Sequence, residues 1–213
     1  MRVHALPILA LWVQQRAAGA RPRHPVGPQL RRRRQDLKTL AGAMLASLLA
    51  LQAPAYAHGD AAATAEQIQS LISDVKRATL PFHDVQASID AGYLAFADKD
   101  GYCVAQPGQG AMGFHYLNGA LIDAQLDPLR PEALMYRSTK DGKLQLIGVE
   151  YIVFQADWDA LHPQPPVQFG HPFHLVRAPN RYNVPAFYEL HLWVWEHNRN
   201  GIFNDWNPAV HCP

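Results

Sequence analysis

Four side chains could do chemistry together: His115 in GFHYLN, Glu150 in KLQLIGVEYIVF, and Glu189 and His191 in FYELHLWVWEH. Each sits in a stretch rich in β-branched and aromatic residues, where a polar group needs a reason. An ionised carboxylate in an apolar row costs several kcal/mol of desolvation unless it is paired, metal-bound or protonated. Two imidazoles and a carboxylate suit Zn(II) or non-haem Fe(II), or Cu(II) with more nitrogen. Glu189, two residues before His191, would be a fourth ligand or an acceptor that orients an imidazole N–H. The competing reading has each histidine bonded to a nearby carboxylate and Glu150 paired with Arg137 or Arg177.

Strands must position these groups. Side chains alternate faces with period two. That puts Phe187, Glu189, His191, Trp193, Trp195 and His197 on one face, and Tyr188, Leu190, Leu192, Val194 and Glu196 on the other. The second set is the cleaner core face; the first reads as an aromatic-lined cavity. The same count places Leu144, Leu146, Gly148, Glu150, Ile152 and Phe154 together, and His115 with Gly113 and Leu117. The expected strands are 113–118, 132–139, 143–154 and 187–197. Asp141-Gly142 marks a hairpin close to a type I′ turn. Upstream, Ile68, Leu71, Ile72 and Val75 have helical spacing, with Thr64 as cap, and a short helix from Phe82 ends at Gly92. The stretch 157–185 holds six prolines and reads as irregular, so His171 and His174 fall in a loop that could close over a site. The expected class is α+β: N-terminal helices, then an antiparallel sheet that could curl into a barrel. GQGAMG lacks the Lys-Ser/Thr of a phosphate-binding loop, and no Ser/His/Asp or Cys nucleophile set is legible.

Composition bounds the rest. The chain has 213 residues, 48% hydrophobic and 17% charged, which excludes a disordered or coiled-coil protein. Residues 1–57 hold nine basic residues and one acid, leaving 10 basic and 17 acidic beyond them, a formal −7. No nucleic-acid partner is expected from that balance. Residues 31–57 run from a basic stretch through a short apolar segment to Ala55-Tyr56-Ala57, the pattern of a cleaved signal peptide; the segment is too short for a stable membrane span. Arg33-Arg34-Gln35-Asp36-Leu37-Lys38 resembles a twin-arginine export signal, with Asp36 where that pattern has Phe. Residues 1–57 are therefore read as leader and signal, and 58–213 as one periplasmic or secreted domain. His58 would open the mature chain, and its amine and imidazole together resemble the copper-binding histidine brace. Cys103 and Cys212 are the two cysteines; export favours a disulfide between them.

GYxxFxxxxxxC, MGFHYLN, LIGVEYIVF and ELHLWVWEHNRNGIFNDWNPAVHC together resemble a family of uncharacterised secreted bacterial proteins. The resemblance covers most of the exported part. It implies export and paired cysteines, and brings no activity with it. The expected function is an exported protein with a divalent metal ion (Zn, Fe or Cu) on His115, Glu150, His191 and Glu189, acting as an oxidoreductase or metal-assisted lyase. The alternatives are a metal-free binder of a small apolar or aromatic molecule and a structural envelope protein.

Overall fold

The computed structural model describes residues 63–213. The leader, the signal segment and His58 lie outside them. Helix α1 (Ala65–Thr79) starts as its sequence demands: the Thr64 hydroxyl accepts from the Gln67 N–H, and the Gln67 side chain accepts from the Thr64 N–H, a reciprocal cap. Ile72 and Val75 are its buried residues of apolar type, flanked by Ile68 and Leu71. Pro81 then forces a 3-10 turn (Leu80–His83), and Asp84 caps the short α2 (Val85–Asp90).

The remaining elements are β1 (Leu94–Phe96), β2 (Cys103–Gln106), β3 (Gly110–Leu117), β4 (Ala133–Ser138), β5 (Leu144–Phe154), α3 (Gln155–Asp159), β6 (Val167–Gln168), β7 (His171–Pro172), β8 (His174–Val176) and β9 (Phe187–Leu192). Seven strands form an antiparallel sheet in the order β1-β3-β4-β5-β9-β8, with β2 also on β3; β6 and β7 pair separately. The α+β class holds. The sheet is open, with β1 and β8 as its ends, so the barrel does not form among the described residues.

One face packs on the helices: Leu134, Tyr136, Leu146, Val149, Tyr151, Val153, Tyr188, Leu190 and Leu192 share a core with Ile72, Val75 and Trp158. The opposite face carries two smaller clusters. Ala111, Met135, Ile147, Trp193 and Val210 make one, and Ile122, Ala133, Ile152 and Phe187 the other.

A bulge corrects the expected face of β5. Met135 pairs with Gly148, but Tyr136 pairs with Leu146, so Ile147 is an extra residue. Leu146 therefore lies in the helix-side core, while Glu150 and Ile152 belong to the other face. Leu144 also packs on the helix-side core; the uninterrupted row from Leu144 to Phe154 does not exist. The freed Ile147 carbonyl accepts from both Trp195 and Glu196 N–H groups at 3.1 Å. This capture helps explain why β9 stops at Leu192 instead of running to His197, and Trp193, Trp195 and His197 leave its face. At the β4–β5 turn only Gly142 has positive φ (76°), and Thr139 N–H bonds Lys143 O at 2.8 Å. That is a turn closed by a left-handed glycine, not a type I′ turn, which needs positive φ at both central residues.

The C-terminal tail crosses the face opposite the helices. Asn207 forms an antiparallel bridge with Ala111, its side chain donates to His197 O at 3.1 Å, and Trp193 Nε1 donates to Asn204 O at 2.6 Å. Gly110 is required here: it has φ 108°, and a Cβ would lie 2.2 Å from Asn207 O. Gly108 and Gly110 of GQGAMG thus serve the β2–β3 turn and the tail, while Gly113 (φ 92°) lies against β4, where a Cβ would stand 2.3 Å from Tyr136 O. Cys103 and Cys212 are disulfide-bonded, with Cα atoms 5.7 Å apart across 109 residues. Among the described residues no helix is long and apolar enough to cross a membrane.

Candidate metal centre

Register brings the polar groups together. Glu150 on β5 pairs with His191 on β9 and, on its other side, with Ala133 on β4. His115 on β3 pairs with Met135, one row away. Directly paired residues project to the same face, and the Ala133 methyl leaves room for the His115 ring to reach over β4. His115 Nε2 lies 3.4 Å from Glu150 Oε2, and His191 Nε2 lies 3.9 Å from Glu150 Oε1. The two rings are edge-to-face, 6.2 Å between centroids. His115, Glu150 and His191 are all buried, His191 completely. One ligand atom from each falls within 4.8 Å of the others.

Glu189 stands elsewhere in the cluster. It faces His174 across the β8–β9 pair, with His174 Nδ1 3.4 Å from Glu189 Oε1. Asp205, carried by the tail, closes the arrangement: Oδ1 lies 3.3 Å from His191 Nδ1 and Oδ2 lies 3.2 Å from His174 Nδ1. His174 is therefore an edge-strand residue at the site. The asparagines of NDWNP anchor the tail as turn residues do. Asp205 is not among the expected site residues: in NDWNP the turn-forming composition points to tail anchoring and carries no signal of a place at the site. His171 is not part of the cluster, its ring stacking on Phe203 at 4.8 Å. Arg137 pairs with Glu196 at 3.3 Å and bonds Gln145, so it is not the partner of Glu150.

Burial sets the protonation. Desolvation, followed by the nearby His191, pushes the His115 pKa down to about 3, so this imidazole is neutral. Burial also opposes charge on His191, but Glu150, Asp205 and Glu189 outweigh it and push its pKa up to about 9. Burial, and behind it Glu189, holds Glu150 well above the ordinary carboxyl range, against the pull of His191. Both shifts have one meaning: without a cation, at least one of Glu150 and His191 holds a proton at neutral pH. Asp205, which remains low despite burial because His191 and His174 face it, favours His191 as the holder.

Among the described residues, His115 Nδ1, both nitrogens of His191 and Glu189 Oε2 in the cluster are buried with no hydrogen-bond partner, as are Nε2 and Oε1 of Gln168 on β6. His191 is within ion-pair distance of two carboxylates, Nδ1 at 3.3 Å from Asp205 Oδ1 and Nε2 at 3.9 Å from Glu150 Oε1. Around the cluster, Tyr182 is a partly buried wall whose hydroxyl reaches Met112 Sδ at 3.7 Å. Burial first, then Glu189 and Glu150, raises that hydroxyl's pKa. Arg181 is tied to Asp98 and Asp100 and lies over the Trp206 ring. A shallow depression of about 280 Å³ is lined by Ala95, Tyr102, Phe114, His115, Tyr116 and Leu144.

No protein-family model matches the chain, and no curated protein or solved structure is significantly similar to it.

Proposed function

We propose that this is an exported metal-binding protein whose centre, formed by His115 Nε2, Glu150 and His191 Nε2, takes a divalent first-row ion such as Zn(II), Fe(II) or Cu(II). The observation that carries the reading is the aim of the donors. Two buried imidazoles turn Nε2 toward one buried carboxylate, and His191 turns its other nitrogen toward Asp205. A ligating histidine commonly uses its second nitrogen in this way, which fixes its tautomer and orientation. Ligands about 2.1 Å from a tetrahedral ion stand about 3.4 Å from one another, close to the His115–Glu150 separation of 3.4 Å. Two histidines and one carboxylate leave a coordination position for substrate, the arrangement of metal-assisted lyases and of non-haem iron oxidoreductases.

Export rests on the leader pattern, the resemblance to secreted bacterial proteins, and the disulfide, a bond that persists in oxidising compartments. The rival, a metal-free binder of an aromatic or apolar molecule, has the depression with Tyr102, Phe114 and Tyr116 in its favour. Elemental analysis of untagged protein purified from the exporting cell separates the two. Stoichiometric metal is expected; a metal-free protein that carries an organic ligand overturns the metal reading.

A further inference from the structure

We propose that the cluster binds a second divalent cation through His174 Nδ1, Glu189 Oε1 and Asp205 Oδ2, making the centre dinuclear. The proposal rests on the metal reading of His115, Glu150 and His191 and extends it to residues that this reading does not use as ligands.

The geometry is that of the first group repeated beside it. His174 Nδ1 stands 3.4 Å from Glu189 Oε1 and 3.2 Å from Asp205 Oδ2, and the three donor atoms lie within 4.8 Å of one another. Those spacings match neighbouring ligands around one first-row ion. One imidazole with two carboxylates is a donor set for Zn(II), Mn(II) or Fe(II).

Partly exposed acids often cluster with no ion among them, so the buried member decides the matter. Glu189 is 3% exposed, and its Oε2 has no hydrogen-bond partner among the described residues. Its carboxyl group also lies against that of Glu150, where it disfavours charge on Glu150. On this side the Glu189 and Asp205 carboxylates face His174, 60% of whose side chain is exposed. A cation on the His174 side, held by the Glu189 carboxylate, gives this buried group a full positive charge to face.

Asp205 joins the two halves, with Oδ1 toward His191 and Oδ2 toward His174. Glu150 and Glu189 join them again on the other side. Paired ions linked by carboxylates clamp and polarise a substrate together, as a single ion does not. The exposed His174 edge supplies the route by which the second ion enters.

The test is a Zn(II) titration of the exported, chelator-stripped protein at neutral pH, with bound zinc counted by native mass spectrometry. Two zinc ions per chain are expected, falling to one in His174→Ala and to one in His191→Ala. His174 is exposed, so its loss leaves the fold intact; circular dichroism and thermal melting check both variants. One zinc in the parent protein, unchanged by His174→Ala, overturns the second site and leaves the first standing. Two zinc ions that persist in His174→Ala overturn the assignment of ligands. No zinc in the parent overturns both readings. If His174→Ala fails to fold, His174→Gln replaces it; if His191→Ala fails to fold, Glu150→Gln replaces it, and the same count decides.

Discussion

His115 and Glu150 meet across a strand that belongs to neither: Nε2 and Oε2 are 3.4 Å apart, although β4 separates β3 from β5. Ala133, the fully buried cross-strand partner of Glu150, lies on the intervening β4. Glu150→Gln keeps the shape of the side chain and removes its charge. Loss of the metal bound by His115, Glu150 and His191 is expected, with a lower melting temperature in the chelated state, because the amide leaves the buried His191 without one of its two carboxylate partners. Ala133→Leu should weaken that metal without touching a ligand and cost about 1–3 kcal/mol from overpacking. Zinc titration with parallel thermal melts reads both. Retained metal in Glu150→Gln contradicts the assignment.

Glu132 gives a pH dependence independent of metal. It is buried beside Tyr93 and Tyr151, accepts from the Ile152 N–H at 3.0 Å, and has Asp123, Asp127 and Arg130 nearby. Desolvation, only partly offset by hydrogen bonds to the carboxylate, pushes its pKa from 4.5 up to about 8. Between those values the folded protein holds a proton that the unfolded chain has released. The stability this group contributes is therefore complete below about pH 4.5 and drains away as pH rises toward 8. At about 1.4 kcal/mol per tenfold change in proton affinity, the loss amounts to several kcal/mol before relaxation. Urea unfolding from pH 5 to 9 should show the slope, and Glu132→Gln should flatten it. An equal slope in the variant would assign it to other groups.

The Cys103–Cys212 bond ties down the tail that delivers Asp205. Closing a loop of this length in the unfolded chain is worth about 4.7 kcal/mol in the chain-entropy model. Cys212→Ser should lower stability by a few kcal/mol. Alkylation of unreduced exported protein should find no free thiol.

Gly110→Ala tests the seat of the tail from the other side. The new methyl would stand 2.2 Å from the Asn207 carbonyl, on a residue with φ 108°. The bridge between Ala111 and Asn207 must shift, and a cost above about 1 kcal/mol is expected. Gly142→Ala, with open space around its Cβ position and the same sign of φ, serves as the control for backbone strain alone and should cost less. Denaturant melts of the pair check this.

The mature protein is expected to begin at His58, after Ala55-Tyr56-Ala57. Intact-mass measurement of the exported form decides this, and a retained leader would be the contrary result.

Much of this was legible in local patterns because local physics sets it. Thr64 and Gln67 cap α1 through neighbouring atoms, and the apolar spacing of Ile68, Leu71, Ile72 and Val75 follows the helical turn. On β9, Tyr188, Leu190 and Leu192 alternate into the core as counted. His115, Glu150 and His191 stood out as polar residues in apolar strands, and two cysteines allow only one intramolecular pairing. What the tertiary structure alone decided involves contacts between distant segments. A bulge at Ile147 shifts the phase of β5, so counting from Leu146 puts Glu150 on the wrong face; the extra residue is stabilised by its bonds to the chain after β9. His174 joins the site because β8 pairs with β9, and Asp205 because the tail is held by Asn207 and the disulfide. Glu189 pairs with His174 because cross-strand register sets which side chains meet. Periodicity assigns a residue to a face of its own strand; register, bulges and tail anchoring are sums over long-range contacts, and no local window contains them.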